Sequence, residues 1–228
     1  MKTELITNVS HDLKTPLTAI ITYVDLLKKE DLTDEERREY VDTLEKKSNR
    51  LKVLIEDLFE VSKATTDNLV MNYAEVDLVN LIKEVRLENE DKITSSSLDF
   101  RWNLPEEKCI LRLDPQRTFR VIDNLVQNIL KYSMPNSRVY IALQDQTTQV
   151  TVSFKNAVEM NFTPEEITER FARGDLSRNT EGSGLGLAIA QSFTELQGGE
   201  FKVETDADLF KVTITWKKQS QTKENTEN

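Results

Sequence analysis

His11 is the only histidine of the chain, and its type and setting suit it to nucleophilic chemistry. A histidine of ordinary pKa, about 6.5, is mostly neutral at neutral pH and is then a usable nucleophile. The apolar stripe that begins at Leu13 and Leu17 lies about 160° around the predicted helix from His11. We therefore expect an exposed imidazole, with Asp12 beside it in sequence and Thr15 one turn further on. On geometry alone, a surface histidine without a function is the commoner interpretation.

Pro16 is an unusual residue at this place, because the surrounding pattern predicts one helix over residues 2–29. A proline inside a helix removes a backbone donor and clashes with the preceding turn, at a cost of roughly 3 kcal/mol or more. The alternative is a helix that starts at Pro16. The apolar periodicity from Ile6 through Val9 argues against that start, so the sequence predicts a bend next to His11.

A second group of polar residues shares one face of a helix predicted over residues 116–132. Asn124, Asn128 and Lys131 stand at i, i+4 and i+7, and Tyr132 follows them. Carboxamides can supply oxygen ligands to Mg²⁺ or donors to phosphate, and the lysine adds positive charge. Asparagine pairs on helices are ordinary, so a merely polar face is the alternative.

Glycines at alternate positions, Gly182, Gly184 and Gly186, lead directly into an amphipathic helix. Glycines let the backbone approach phosphate oxygens, and a helix N-terminus offers unpaired N–H groups. No Lys-Ser/Thr pair follows, so this is not a Walker loop, and no strand immediately precedes it, so it is not a Rossmann fingerprint. The pattern alone also fits a flexible turn.

Taken together, these segments resemble the motifs of sensor histidine kinases. Residues 10–17, Ser-His-Asp-Leu-Lys-Thr-Pro-Leu, closely resemble the H-box, and residues 124–132 resemble the N-box. Residues 182–190, Gly-Ser-Gly-Leu-Gly-Leu-Ala-Ile-Ala, resemble the G2 box, and residues 169–175 resemble the F-box ahead of a mobile ATP lid. The resemblance extends over nearly the whole chain.

The resemblance implies an ATP-dependent protein-histidine kinase of a two-component system. His11 would be phosphorylated and would pass the phosphoryl group to an aspartate of a response regulator. Asp12 would fix the tautomer of His11 or accept its proton. Thr15 would help to place the water that hydrolyses a phosphorylated regulator. A solvated charge and a surface hydroxyl are the alternative interpretations of these two residues.

The resemblance also implies a Mg-ATP site. Asn128 would bind Mg²⁺ with Asn124 assisting, and Lys131 and Tyr132 would line the nucleotide. The residues that would surround the phosphates are Gly182, Gly184, Leu185 and Gly186.

One motif departs from the family pattern. The family has an Asp-x-Gly-x-Gly box whose aspartate binds the adenine amino group, whereas here the strand ends in Asn156 and the glycines are absent. Thr168 replaces the first aromatic residue of the F-box, and Ile129 replaces an alanine of the N-box. An amide carbonyl still accepts a hydrogen bond, but without charge, so we expect weaker ATP binding than is usual.

The elements that must position these residues fall into an α + α/β arrangement. Two amphipathic helices over residues 2–29 and 34–63, joined by a short loop with a Thr33–Glu36 capping box, predict an antiparallel helical hairpin. Its apolar stripe predicts a homodimer with a four-helix bundle. Alternating segments interleaved with helices predict an α/β sandwich of the gyrase, chaperone and histidine-kinase type. We expect a hairpin domain over 1–66, a catalytic ATP-binding domain over 74–218 and a disordered tail over 219–228.

Composition excludes several other classes of protein. A formal charge of −10 disfavours nucleic acid and anionic membranes as partners. Cys109 is the only cysteine, so no intramolecular disulfide can form. No apolar run is long enough to span a membrane, and no signal peptide is evident. We therefore expect a cytoplasmic fragment, attached to a membrane only through a missing upstream region.

Two other functions remain open. A pseudokinase that only dimerises and docks would also carry a degenerate nucleotide box. An ATPase related to gyrase and mismatch-repair proteins would bind nucleotide without a phosphohistidine, although the hairpin with His11 argues against it.

Overall fold

The computed structural model describes residues 2–29, 31–64, 70–158 and 185–218, with the side chains of all but 2–12, 56–58, 60–64 and 185. The chain divides into two compact units, the first comprising Met1–Leu69 and Glu169–Ile189 and the second comprising Val70–Thr168 and Ala190–Asn228. The helices are α1 (Lys2–Leu27), α2 (Asp34–Ala64), α3 (Leu78–Glu88), α4 (Glu90–Ser95), α5 (Pro115–Tyr132) and α6 (Leu185–Leu196). The strands are β1 (Ala74–Asp77), β2 (Asp99–Asn103), β3 (Ile110–Leu113), β4 (Arg138–Asp145), β5 (Gln149–Ala157), β6 (Glu200–Asp206) and β7 (Leu209–Lys217).

The start of α2 has the predicted capping box. The Thr33 hydroxyl accepts a hydrogen bond from the Glu36 N–H at 3.2 Å, and the Thr33 N–H donates to Glu36 Oε2 at 2.9 Å. The Thr33 hydroxyl also donates to Oε2 at 2.8 Å, and these bonds from the Thr33 backbone and side chain lower the pKa of Glu36. The box leaves two fewer orphan donors at the helix start and ends the loop after α1.

The apolar stripe of α1 divides between two faces. Pro16 is buried within the helix, so the start at Pro16 is ruled out, and the Tyr23 ring lies 5.5 Å from that of Tyr40 on α2. On the other face, Leu17, Ile21 and Val24 are 47%, 55% and 40% exposed. This row at i, i+4 and i+7 is an apolar face that α2 does not cover.

A five-stranded sheet with the order β2-β4-β5-β7-β6 forms the second unit's framework. β2 runs parallel to β4, and the remaining neighbours are antiparallel. β1 and β3 form a separate antiparallel pair. Along β5 the side chains alternate, with Val150, Val152, Phe154 and Asn156 buried and the residues between them partly or fully exposed. One face of the sheet therefore carries the core.

Helices α3 and α5 supply much of that core because their apolar residues recur at helical spacing. The buried apolar residues of α3 are Leu78, Val79, Leu81, Ile82 and Val85. Those of α5 are Val121, Ile122, Leu125, Val126 and Ile129. The helix-and-sheet arrangement confirms the predicted fold class.

The sequence pattern did not predict β1 or α4, both short elements beside longer ones. The helix predicted around residues 164–171 and the predicted disordered tail over 219–228 lie outside the described residues. Among the described helices, none has the length and hydropathy needed to span a membrane.

Candidate nucleotide-binding site and phosphoacceptor helix

Asp114 fixes the start of α5, the helix that carries most of the candidate site. Its carboxylate accepts a hydrogen bond from the Arg117 N–H at 3.1 Å, and Pro115 occupies the first turn, where no donor is needed. Asp114 Oδ2 also accepts from the Asn72 N–H at 2.9 Å and is ion-paired with the Arg117 guanidinium. Burial acts to raise the pKa of Asp114, but these hydrogen bonds and the charge of Arg117 outweigh it and hold the pKa below its usual range.

The backbone N–H and carbonyl of Asp114 are also hydrogen-bonded. Its N–H donates to Gln197 Oε1 at 2.7 Å, and Gln197 Nε2 in turn donates to the Phe193 carbonyl at 2.9 Å. The Thr118 hydroxyl donates to the Asp114 carbonyl at 2.7 Å. These hydrogen bonds join the first turn of α5 to Gln197, the residue after α6.

One polar flank of α5, formed by Asp123 and Gln127, is hydrogen-bonded within the protein; we call it the bonded flank. Buried Asn89, at the end of α3, donates from Nδ2 to Asp123 Oδ1 at 2.8 Å and to the Val85 carbonyl at 2.9 Å. Its Oδ1 accepts from Gln127 Nε2 at 2.6 Å. Lys92 adds a longer bond to Gln127 Oε1 at 3.3 Å.

The neighbouring flank, formed by Asn124, Asn128 and Lys131, is different; we call it the open flank. All three residues are partly buried. The buried Nδ2 of Asn124 has no hydrogen-bond partner among the residues that the structure describes. A buried amide group without a partner costs about 1–3 kcal/mol, which a polar ligand such as a phosphate oxygen would recover.

Lys131 and Tyr132 end the helix together. The Lys131 Nζ donates to the Tyr132 hydroxyl at 3.0 Å and lies 4.7 Å from the centre of its ring. Both residues are partly buried, so the ammonium group is held next to an aromatic surface at the end of the open flank. A cation and a ring at one place suit an anionic ligand that carries a flat base.

Asn156 is brought to this end of α5 by the sheet. It is 2% exposed on the core-facing side of β5, and its Nδ2 donates to the hydroxyl of Ser133, the residue after Tyr132, at 2.9 Å. The Met134 N–H donates to the Ala157 carbonyl at 2.9 Å and closes the junction. Four sequence-predicted residues, Asn128, Lys131, Tyr132 and Asn156, thus belong to two elements that meet where α5 ends.

The donor set of the open flank fits a magnesium ion bound together with phosphate. No group of three or more His, Cys, Asp or Glu side chains that could hold a metal occurs in the described part of the chain. Mg²⁺ is commonly held by one or two protein oxygens together with phosphates and waters. The carboxamide oxygens of Asn128 and Asn124 provide such ligands.

The glycine-rich segment is described only from its end. Gly182 and Gly184 lie outside the described residues, and the side chain of Leu185 is not described. Helix α6 is described from Leu185, so Gly186 lies at the start of its described part. The F-box segment, residues 169–175, also lies outside the described residues.

The phosphoacceptor candidate His11 lies on α1, whose backbone is helical from Lys2 through Leu27. The side chains of His11 and Asp12 are outside the described set. Thr15 is exposed, as are the residues that continue its row along the helix, Thr18, Thr22 and Asp25. Pro16 has no N–H, so the Asp12 carbonyl lacks its helical donor one turn earlier.

Several residues that shape the site were not predicted from the sequence. Asp114 followed by Pro115 is a sequence signal for a helix start. The predicted helix nevertheless began at residue 116, one residue after the observed start at Pro115. Asn89 and Ser133 had no such signal, because each contacts a residue more than 20 positions away.

Two family models match the chain. The model described as "His Kinase A (phospho-acceptor) domain" matches residues 1–67, and "Histidine kinase-, DNA gyrase B-, and HSP90-like ATPase" matches residues 113–220. The sensor protein VanSC of Enterococcus gallinarum is 31% identical over 211 residues, 90% of this chain and 57% of VanSC. The chain thus spans little more than half the length of that relative.

Solved structures show the same similarity. The catalytic domain of histidine kinase ThkA in a nucleotide-free form is 30% identical with a TM-score of 0.58, covering 65% of this chain and 97% of that domain. Histidine kinase ThkA in complex with response regulator protein TrrA is 26% identical with a TM-score of 0.75, covering 95% of this chain and 61% of that one. With a helical hairpin ahead of an α/β ATPase unit, the chain belongs to the sensor histidine kinase family.

Proposed function

We propose that this chain is the catalytic portion of a sensor histidine kinase, which autophosphorylates on His11 with Mg-ATP and passes the phosphoryl group to a response-regulator aspartate. The observation that carries the proposal is the buried Asn124 amide without a described partner, on the same flank as Asn128 and Lys131. A helix that buries a polar group in this way, on a flank that ends in a positive charge, is suited to a polar anionic ligand.

The chemistry needs a nucleophile and a proton acceptor on α1. A ring nitrogen of His11 attacks the γ-phosphorus, an N–P bond forms, and the bond to the β,γ-bridging oxygen breaks to release ADP. Asp12 holds the other ring nitrogen or takes its proton. The exposed row of α1 that continues through Thr15, Thr18 and Thr22 supports an accessible imidazole, because His11 lies in the same row.

In the proposed nucleotide site, each polar residue would have one role. Asn128, with Asn124, would hold Mg²⁺, which neutralises phosphate charge when bound. Lys131 and Tyr132 would line the nucleotide, and Asn156 would contact the base. The loop with Gly182, Gly184, Leu185 and Gly186 would surround the phosphates with backbone N–H groups.

The hairpin is proposed to form a homodimer through a four-helix bundle. The exposed apolar row Leu17, Ile21 and Val24 on α1 supports this arrangement. Exposed apolar residues also occur on α2, including Val41, Ile55 and Phe59. A second copy would bury these surfaces, which a single hairpin leaves in water.

The remaining proposals follow from the family. The partner is the receiver domain of a response regulator, as ThkA has its partner in TrrA. Thr15 would take part in hydrolysis of the phosphorylated regulator. The domain limits 1–66 and 74–218, and a cytoplasmic location with the membrane reached only through additional sequence, are proposals of the same kind.

Labelling with ATP that carries a radioactive γ-phosphate tests the function. We expect the full chain to acquire an acid-labile, alkali-stable label that His11→Gln abolishes. The matched control is Thr22→Val, in the same exposed row about three turns further along α1, which should label normally.

The other two functions give different results in the same assay. A pseudokinase would neither label nor bind Mg-ATP at millimolar concentration. An ATPase without a phosphohistidine would release free phosphate and leave the protein unlabelled. Either result would contradict the proposed autophosphorylation.

A further inference from the structure

The contact between Asn156 and Ser133 bears on the selectivity of the proposed site for the purine base. Asn156 is 2% exposed, and its amide lies 2.9 Å from the Ser133 hydroxyl. A carboxamide carries a donor at one end and an acceptor at the other, whereas a carboxylate at neutral pH only accepts. The group beside a purine base therefore differs in kind from an aspartate at the same position.

Carbon 6 of the purine ring is where this difference matters. Adenine has an amino group there, which donates to an acceptor. Guanine and hypoxanthine have a carbonyl oxygen there, which accepts from a donor. A carboxylate has only acceptors and would repel that carbonyl oxygen. An amide can instead rotate so that its N–H₂ group donates a hydrogen bond to the oxygen.

Ser133 permits either orientation of the amide. A serine hydroxyl donates as well as accepts, so it can accept from Nδ2 or, after a half-turn of the amide, donate to Oδ1. In the first orientation Oδ1 remains for an amino group of the base, and in the second Nδ2 remains for a carbonyl oxygen. Both orientations keep the inner end of the amide hydrogen-bonded, so neither leaves a buried polar atom unsatisfied at this contact.

The neighbours of Asn156 in the sheet do not favour one orientation. Its register partners are Val139 on β4 and Phe210 on β7. Both are buried, and their side chains contain no hydrogen-bonding group. The amide direction is therefore set by Ser133 and by whatever base is bound.

We propose that the nucleotide site accepts 6-oxopurine triphosphates as well as ATP, because Asn156 and Ser133 together adapt to either group at carbon 6. This inference rests on the proposed function, in which Asn156 contacts the base. It changes the expected substrate class from ATP alone to purine nucleoside triphosphates.

Calorimetric titration of the full chain with Mg-ATP and Mg-ITP tests the inference. ITP differs from ATP only in the oxygen at carbon 6 and the proton that this places on N1, so it avoids the extra amino group of GTP. We expect the two dissociation constants to agree within about 10-fold, because Asn156 makes a polar contact to the group at carbon 6 of both nucleotides. In Asn156→Asp, the ratio of the ITP to the ATP constant should rise by at least about 10-fold.

A second variant tests the role of Ser133. Ser133→Ala removes the inner partner in both amide orientations, so affinity for both nucleotides should fall by the same factor and their ratio should not change. A changed ratio would mean that Ser133 holds the amide in one orientation, and would overturn the inference.

The outcomes also separate the inference from the proposed function. If the wild-type chain binds ATP but binds ITP more than about 100-fold more weakly, the inference fails and the kinase proposal stands. An unchanged ratio in folded Asn156→Asp would also overturn the inference. If neither nucleotide binds, the proposed function itself is contradicted. Circular dichroism establishes whether Asn156→Asp folds. If this variant does not fold, the comparison of Mg-ATP with Mg-ITP binding to the wild-type chain still decides whether the inference holds.

Discussion

The two polar flanks of α5 contain the same kinds of residue and reach opposite outcomes. On the bonded flank, Asn89 reaches across from the end of α3 and hydrogen-bonds to both Asp123 and Gln127. On the open flank, one position further along the helix, the buried amide nitrogen of Asn124 has no described partner. Residue type alone is thus a poor guide to function on this helix. What differs between the flanks is whether a neighbouring residue supplies a hydrogen-bond partner for each polar side chain.

The difference separates groups that stabilise the fold from groups reserved for a ligand. A satisfied buried network contributes to stability and has no capacity left for binding. A buried group without a partner lowers stability until a ligand supplies one. Variants on the two flanks should therefore affect different measurements.

The largest expected effect is on the open flank. Asn128→Ala removes a proposed oxygen ligand of Mg²⁺, so phosphohistidine labelling should fall by about 100-fold or more, as when one group that stabilises transition-state charge is removed. Radiolabelling at saturating ATP measures the effect. Thermal unfolding should change little, because Asn128 has no role in the hydrogen-bonded network around Asn89.

The matched control is the preceding residue, Gln127→Ala, on the bonded flank. It should label at close to the normal rate while unfolding at a slightly lower temperature. Equal loss of labelling in both variants would mean that α5 responds as a whole and that the two flanks are not functionally distinct.

On the bonded flank we expect the opposite result, a loss of stability without a loss of nucleotide affinity. Asn89→Ala leaves both Asp123 and Gln127 without their buried partner, and should lower the free energy of unfolding by about 2–3 kcal/mol. Urea titration followed by circular dichroism measures the loss. The affinity of the folded fraction for Mg-ATP should be unchanged, and a fall in affinity larger than the fall in stability would contradict the division between flanks.

The sequence predicted the open flank better than the bonded one, and the reason is physical. Asn124, Asn128 and Lys131 share a helical spacing with one another, so a pattern along the chain reveals them. Asn89 and Asp123 are related only through packing of α3 on α5, which no local pattern encodes. Ser133 is a similar case, since its partner Asn156 lies 23 residues further along the chain.

The fold was predictable for related reasons. Long amphipathic segments such as α1 and α2 carry their own periodicity, and the Thr33–Glu36 box marks where the second begins. The four-residue β1 is too short to show alternation, and its pairing with β3 depends on residues more than 30 positions away. The split of the α1 stripe into two faces was not predicted, because the sequence does not specify which face α2 covers.

A third, smaller effect concerns Asp114, from which both flanks extend. Its pKa is lower in the folded chain than in the unfolded one, so it contributes stability above the unfolded value of about 3.9, and this is lost as pH falls through the folded pKa. Asp114→Asn keeps a capping oxygen but loses the charge next to Arg117, so stability at pH 7 should fall by about 1–2 kcal/mol. Urea titrations between pH 7 and pH 3 should show a smaller acid-induced loss in the variant than in the wild type. Parallel curves for the two proteins would show that the charge contributes nothing.

Cys109 is a reporter that distinguishes the two flanks, and for the open flank we expect the smallest effect, no change in its labelling. Burial, with a further contribution from the charge of Asp145, raises the pKa of the Cys109 thiol to about 11, and the thiol is inaccessible to solvent. Because the thiolate is the reactive form, a disulfide-exchange reagent at pH 8 should label native protein only through opening of the second unit. Asn128→Ala should label as slowly as the wild type, and Asn89→Ala about 30- to 140-fold faster, since a loss of about 2–3 kcal/mol shifts its opening equilibrium by that factor. Rapid labelling of Asn128→Ala would show that the open flank also maintains the fold, and its loss of kinase activity could then no longer be ascribed to the missing ligand.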